Sequence, residues 1–316
     1  MTDTNPKDVS RVRAWVIAAR PHTFPAGVAP VVVGTGLALH DGVFDPLAAL
    51  VALVSALLIQ IGANFANDYY DAVKGADTDE SEGYTRVTQQ GLIPPETVKR
   101  GTALTFGLAF VVGLYLVKVG GAVILAVGVL SIISGIIYTG GPYPIGYHGL
   151  GDLFVFVFFG VVGVTGTYYV QAASAVGVAL STVVPPPGTL TSEAVVASLG
   201  VAGFETGILV VNNIRDLETD AQAGKKTLAV LIGYTASRFE YGLLVALSYA
   251  VPLYLFTRPD FGAFVLLPFL TVPYAISLLT TVATESNEDG LNPALEGTGK
   301  LLAVYSALFA AGMVVS

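Results

Sequence analysis

The chain has 316 residues, 53% of them hydrophobic and 12% charged, with a mean hydropathy of +0.71. A soluble domain carries about 25% charged residues, so this composition excludes one and defines an integral membrane protein. Cysteine is absent, which rules out disulfides, thiol catalysis and cysteine metal sites. The net charge of -8 sits largely in loops such as DTDESEGY and TESNEDG and gives no reason to expect a nucleic-acid partner.

Residues 1–19 are polar and mixed in charge, with no short apolar core ahead of a small-residue cleavage site, so a polar cytoplasmic segment is expected and no signal peptide. A spanning helix needs roughly 20 mainly apolar residues. Nine such stretches follow, at about 22–40, 47–66, 102–117, 120–138, 153–172, 194–212, 239–257, 261–282 and 299–315, the third and ninth being short. Lysine and arginine set the orientation. Thirteen of the fifteen fall on the face that holds the N-terminus and the loops after spans two, four, six and eight, and only Lys118 and Arg258 fall on the other. That face is therefore cytoplasmic. It also carries the long polar loops, about 67–101 and 213–238. The expected fold is all-α: about nine transmembrane helices in one bundle, a single domain over 1–316, with a cytoplasm-facing active-site cavity.

Chemistry is concentrated where the second and sixth spans end. The second runs into NDYYDAVKGADTDE and the sixth into VNNIRDLETDAQAGKK. Asn67 and Asp71 are four apart, as are Asn212, Asp216 and Asp220, so each set shares a helix face. Asp77 is six residues past Asp71, the wrong face of a continuous helix. Gly75 between them weakens a helix interior, which places Asp77 on a loop returning toward Asp71. Facing carboxylate clusters repel unless a cation intervenes. Mg²⁺ takes one or two protein carboxylates, keeps waters and adds substrate phosphate oxygens. Lys74 and Arg86 stand beside the first motif, and Arg215, Lys225 and Lys226 beside the second. Acid plus base at one rim fits a metal-bridged diphosphate, with the basic residues holding its oxygens. No Walker-type glycine loop is present.

At these residues the chain resembles the UbiA superfamily of intramembrane prenyltransferases, which carries two Asp-rich motifs after the second and sixth of nine helices. Longer strings resemble its MenA branch, which acts on 1,4-dihydroxy-2-naphthoate: ARPHTFPAGVAPVVVGTGLA, NDYYDAVKGAD, YTGGPYPIGYHGLGDLFVFVFFG, VTGTYYVQ, NNIRDLETDAQAGKKTLAVLIG and LNPALEGT, from Arg20 to about Thr298. The resemblance implies a polyprenyl diphosphate donor, an aromatic acceptor, a lipid-bilayer setting and Mg²⁺. It assigns Asn67, Asp71 and Asp77 to the first metal–diphosphate motif, Asp216 and Asp220 to the second, and a supporting role to Asn212 or Asn213. The common N-x-x-x-D-x-x-x-D form is broken because Gly75 takes its last position. No role carries over to His22.

The implied reaction alkylates an electron-rich naphthoate ring with an allylic cation and loses its carboxylate as CO₂, giving demethylmenaquinone in the plasma membrane. Water must be kept away from that cation, and aromatics could shield it: Phe65, Tyr69, Tyr138, Tyr143, Tyr147, Tyr168 and Tyr169 are candidates. His148 and Asp152, in and just after the glycine-rich fourth loop, are candidate acceptor or acid–base contacts. Glu205 is the lone charge inside the sixth span and shares the second motif's face, seven residues before Asn212. Intramembrane acids face a cavity or a partner, so Glu205 is a candidate for the acceptor or cation pocket. Two alternatives stay open: a related prenyltransferase with another acceptor, such as a 4-hydroxybenzoate-like aromatic or geranylgeranylglyceryl phosphate, and a secondary transporter with acidic ion sites.

Overall fold

The computed structural model describes residues 9–74 and 86–316, and these contain helices and no strand. In chain order the helices are α1 (Arg11–Ala19), α2 (Phe24–His40), α3 (Pro46–Lys74), α4 (Pro95–Gly120) and α5 (Ala122–Ile137). The fifth span is composite: α6 (Gly151–Val155), a π-helical stretch Phe156–Val162, and α7 (Gly163–Val176). There follow α8 (Ser192–Arg215), the short α9 (Leu217–Gln222), α10 (Leu228–Phe256), α11 (Val272–Thr284) and α12 (Glu288–Val314), with a 3₁₀ stretch Ala263–Thr271 leading into α11. Among the described residues eight segments are long and apolar enough to cross a bilayer, and α5 is a shorter ninth. The multi-span, all-helical bundle expected from the sequence is the one observed.

Helix ends differ from expectation because capping, rather than hydropathy, stops a helix. The third and ninth spans are not short: α4 opens at Pro95 with Glu96 in its first turn, and α12 opens behind Asn287, whose side chain accepts from the Gly290 amide. Their first turns carry charge and so fall outside an apolar window. α3 likewise runs on to Lys74, which keeps Asn67 and Asp71 on regular helix. Much of the expected loop 213–238 is helix as well. α10 starts at Leu228 behind the Thr227 cap and breaks at Gly233, whose φ of 77° only glycine adopts readily. The polar N-terminal segment contributes α1, capped by Ser10. It packs Ala14, Ala18 and Trp15 against Phe65 of α3. Phe65 is thereby a packing residue rather than a cation shield.

The most buried span is α8, 72% of whose apolar window lies inside the bundle. In lipid, helices gain from close van der Waals approach rather than from a hydrophobic drive, and small residues permit it. A Cβ on Gly36 would lie 2.7 Å from the Ala310 Cα, and one on Gly203 would lie 2.6 Å from the Leu244 carbonyl. Buried tyrosines tie the same helices: Tyr305 donates to the Ser248 carbonyl at 2.6 Å, and Tyr241 meets Thr298 at 3.0 Å. Leu104, Leu108, Val111 and Leu114 of α4 stay exposed, as a lipid-facing stripe must. At the end of the bundle away from Asp71, Asp45 caps α3, Tyr168 donates to Asp41 at 2.6 Å, and Tyr169 donates to the Gly120 carbonyl at 2.7 Å. Tyr168 and Tyr169 therefore fasten the far end and do not shield a cation near the acidic motifs.

Candidate active site

A cavity of about 600 Å³ lies between the ends of α3 and α8. Asn67 and Asp71 reach it from α3, Glu205, Asn212, Asn213 and Arg215 from α8, Asp216 from the α8 cap, and Asp220 from α9; Arg86, Tyr138 and Lys225 complete this part of its wall. The two motifs thus face one chamber, as their spacing suggested. The described helix α8 stops at Arg215, yet the four-residue register survives the break. The Asp216 amide donates to the Asn212 carbonyl at 3.0 Å, and the Asp220 amide donates to the Asp216 carbonyl at 2.8 Å. Lys74, Lys226, Tyr143, His148 and Asp152 lie off this wall, as do the aromatic candidates Phe65, Tyr168, Tyr169 and Tyr69, the last packed into the α1 cluster beside Lys99. Gly75 and Asp77 fall outside the described residues.

Repulsion between the clusters is relieved by paired cations. Arg86 donates to Asp71 Oδ2 at 3.0 Å. Arg215 grips Asp216 with two parallel bonds, Nε to Oδ1 at 2.6 Å and a terminal nitrogen to Oδ2 at 2.7 Å. It also donates to Asn212 and Asn292, each at 3.0 Å. Such bidentate contacts are the stronger and more directional ion pairs. Lys225 stands 3.2 Å from Asp220 Oδ1. Burial raises the Asp220 carboxyl above its ordinary range; Lys225 opposes this, while the charges of Asp216 and Asp71 push the same way as burial.

The fourth loop bridges the motifs. The Tyr147 hydroxyl donates to Asp71 Oδ1, and the Tyr147 ring is flanked by the Lys74 and Lys225 ammonium groups at 5.4 and 5.2 Å. Lys74 Nζ donates to the carbonyls of Thr139 and Gly141 at 2.6 and 3.1 Å, and the Lys226 amide donates to the Tyr147 carbonyl at 2.9 Å. Lys74 therefore turns its ammonium group to the loop, Lys226 holds the loop through its backbone, and neither lines the chamber. Thr139 donates to Asn67 Oδ1 at 2.9 Å. His148 is spent on the Pro144 carbonyl, 2.8 Å away, and on the Tyr143 ring, stacked at 3.6 Å. Asp152 is buried beneath the loop with neither carboxylate oxygen partnered. Tyr147, read from sequence only as a possible cation shield, instead orients Asp71. A hydrogen bond to a charged group contributes about 1.5–3 kcal/mol, so Tyr147→Phe is expected to lower turnover about tenfold while the melting temperature in detergent stays close to wild type. Asp68, one residue before the tyrosine pair, has a structural role: it accepts from the Thr88 amide at 3.1 Å and from the Thr88 hydroxyl.

A second, apolar groove of about 330 Å³ adjoins the chamber. Its walls come from α2 to α5 and from the composite fifth span, with alanine and glycine at many positions. Ala26, Gln60, Asn67, Tyr138, Val155 and Phe159 border both spaces, so the polar chamber continues into the apolar one. Among the described residues no three acidic or histidine groups close on a single point. The donors on offer are carboxylate and amide oxygens on two opposed helices. That set fits a hard divalent cation that uses few protein ligands and completes its shell with water and phosphate oxygens.

A helical membrane bundle with a charged chamber opening into an apolar groove belongs to the class of proteins that handle amphiphiles, with a polar head at the membrane rim and a tail within the bilayer. More narrowly, the chain belongs to the UbiA prenyltransferase family, which matches residues 27–292. It is 37% identical to the 1,4-dihydroxy-2-naphthoate octaprenyltransferase of Escherichia coli, covering 98% of each chain. It is 36% identical to the protein of the same name from Mycobacterium tuberculosis, covering 94% of this chain and 95% of that one. Its fold is similar to a UbiA homolog from Archaeoglobus fulgidus solved bound to DMAPP and Mg2+, with a TM-score of 0.62, 16% identity and coverage of 95% and 99% of the two chains.

Proposed function

We propose that this protein transfers a polyprenyl group from polyprenyl diphosphate to 1,4-dihydroxy-2-naphthoate, releasing diphosphate and CO₂, to give the hydroquinone demethylmenaquinol, the reduced form of demethylmenaquinone. The observation that carries this reading is the junction of a two-motif polar chamber with an apolar groove, at Asn67 and Tyr138. Its acceptor rests on the names of relatives at 36–37% identity over nearly the whole chain. The whole of 1–316 forms one domain, with the chamber and N-terminus on the cytoplasmic side of the plasma membrane, in keeping with thirteen of fifteen basic residues on that face. The carboxylates gather at one rim rather than at the midplane where transporter sites lie, which speaks against the transporter alternative.

In this reading the diphosphate sits between the motifs and the prenyl tail lies in the groove. Asp71, Asp216 and Asp220, with Asn67 and Asn212, would hold Mg²⁺, and Asp77 stays a proposed ligand from outside the described residues. Bound Mg²⁺ would neutralise the diphosphate and draw charge from the breaking C–O bond. Arg86, Arg215 and Lys225 each start on a carboxylate. All three line the chamber, so with Mg²⁺ held by the carboxylates their charges would be available to the diphosphate oxygens. Val155 and Phe159 exclude water where the chamber meets the groove, which protects the allylic cation. Tyr138 lines the same junction, where its ring would stand beside that cation.

The test supplies membranes containing the protein with a polyprenyl diphosphate and three competing acceptors: 1,4-dihydroxy-2-naphthoate, 4-hydroxybenzoate and geranylgeranylglyceryl phosphate. Prenylated naphthoquinol is the expected product, abolished by chelation and restored by magnesium. Product from another acceptor alone would refute the acceptor assignment and keep the family.

A further inference from the structure

The turn that ends α5 is clamped onto α3 beside the first motif. Asn67, Tyr70 and Lys74 share one face of α3, three and four residues apart. All three meet residues 139–141. The Thr139 hydroxyl donates to Asn67 Oδ1 at 2.9 Å. The Gly140 backbone lies so close to the Tyr70 ring that an added Cβ would stand 2.5 Å from Cε2 and 2.8 Å from Cζ. Lys74 Nζ donates to the Thr139 and Gly141 carbonyls at 2.6 and 3.1 Å, a cation placed at the C-terminal end of a helix. Thr139 is 4% exposed, so its hydroxyl turns to Asn67 and not to solvent.

That clamp decides what the Asn67 amide offers. An amide oxygen has two lone pairs, and an amide nitrogen has two protons. Thr139 occupies one lone pair of Oδ1 and leaves the other for a cation. The nitrogen remains. Among the described residues Nδ2 meets no acceptor, and it is not one of the enclosed unpartnered atoms, so it is open to the space that Asn67 lines. There the charged chamber passes into the apolar groove. A diphosphate whose tail lies in the groove puts its ester end at this junction. Its oxygens accept hydrogen bonds, and a bond to a charged oxygen is stronger than one between neutral groups.

We propose that Thr139 is a positioning residue that holds the Asn67 amide with its nitrogen toward the diphosphate, so that Asn67 donates a hydrogen bond to the departing group. The inference rests on the prenyl-transfer reading and deepens it, giving Asn67 a donor role beside its share in the cation. Without the Thr139 bond the amide rotates freely, and the donor is no longer aimed.

The experiment titrates two ligands separately, in the presence of magnesium, into detergent-solubilised wild type, Thr139→Val, Thr139→Ser and Asn67→Asp, and reads each Kd by calorimetry. One ligand is geranyl S-thiolodiphosphate, whose C–S bond resists ionisation, and the other is 1,4-dihydroxy-2-naphthoate, kept anaerobic. Thr139→Val is expected to weaken the diphosphate about three- to tenfold, the effect of one hydrogen bond. Thr139→Ser keeps the hydroxyl and should stay within about twofold of wild type. Asn67→Asp keeps oxygens for Thr139 and for the cation but has no proton to give, so it should weaken the diphosphate about tenfold or more. The naphthoate should bind the wild type and both Thr139 variants within about twofold, which a general loss of structure would not allow. Wild-type diphosphate affinity in Thr139→Val or in Asn67→Asp, an equal loss in Thr139→Ser and Thr139→Val, or a parallel loss of both ligands in Thr139→Val each overturns the inference and leaves the transfer reading standing. A wild type that binds no diphosphate overturns the transfer reading, and the inference with it.

Discussion

Asp71→Ala and Asp216→Ala are each expected to lower turnover by about 10³-fold or more, in keeping with the loss of a group that stabilises departing charge in a preorganised site. Both residues line the chamber, on different helices, so neither can be covered by the other. Each alanine also strands a cation: Arg86 loses its 3.0 Å contact and Arg215 its two-bond grip. A stranded arginine still attracts the diphosphate, so donor affinity should fall far less than turnover. Single-turnover assays with saturating donor separate the two effects. Near-normal turnover in either variant would remove that carboxylate from the metal–diphosphate assignment. Both proteins should remain folded, because the packed core is built from other residues of α8, α10 and α12.

Gly160→Ala is expected to be among the most damaging single substitutions for stability, although it touches no charged residue. The added Cβ would fall 2.1 Å from the Ala202 Cβ and 2.3 Å from its Cα, so backbone must move. Overpacking a well-filled core typically costs 1–3 kcal/mol and occasionally more, and a clash against backbone in the central helix belongs at or above about 3 kcal/mol. Gly160 lies in the π-helical stretch Phe156–Val162, where one widened turn lets the fifth span press onto α8. Gly242→Ala is the control: a Cβ there meets nothing within 4 Å. It should raise stability by about 0.5–1 kcal/mol through the smaller backbone entropy loss of alanine in a helix. Thermal unfolding in detergent, read by size-exclusion fluorescence, compares the two. A Gly160→Ala protein that melts with wild type would refute the close approach.

Much of the site was legible because it obeys helical period. Asn67 with Asp71, and Asn212 with Asp216 and Asp220, recur at four-residue spacing at the ends of two spans, and they do face one chamber. Glu205 stood out as a lone charge in apolar sequence. Gln60, on the chamber wall from α3, is an uncharged amide in an apolar run and gives no such signal. The basic residues were harder still. Lys74 looks like Arg86 from sequence, yet Lys74 is drawn to loop carbonyls and Arg86 to Asp71, a choice made by tertiary contacts. Helix ends eluded hydropathy for the opposite reason: capping residues and charged first turns continue a helix past the point where lipid ends, as at Pro95, Leu228 and Glu288. The π-helical stretch has no local sequence mark beyond Gly160 and is imposed by what Ala202 leaves room for.

The short helix α5 has a consequence for the membrane around the protein. Its sixteen residues reach about 24 Å, against a hydrocarbon core of about 30 Å. It borders the apolar groove and has few buried residues, so its outer face meets lipid directly. Acyl chains beside it must compress to match, at a cost of fractions of a kcal/mol per ångström. The bilayer at the side of the groove is therefore expected to carry a local elastic load, so that lipid there is already displaced from its resting thickness.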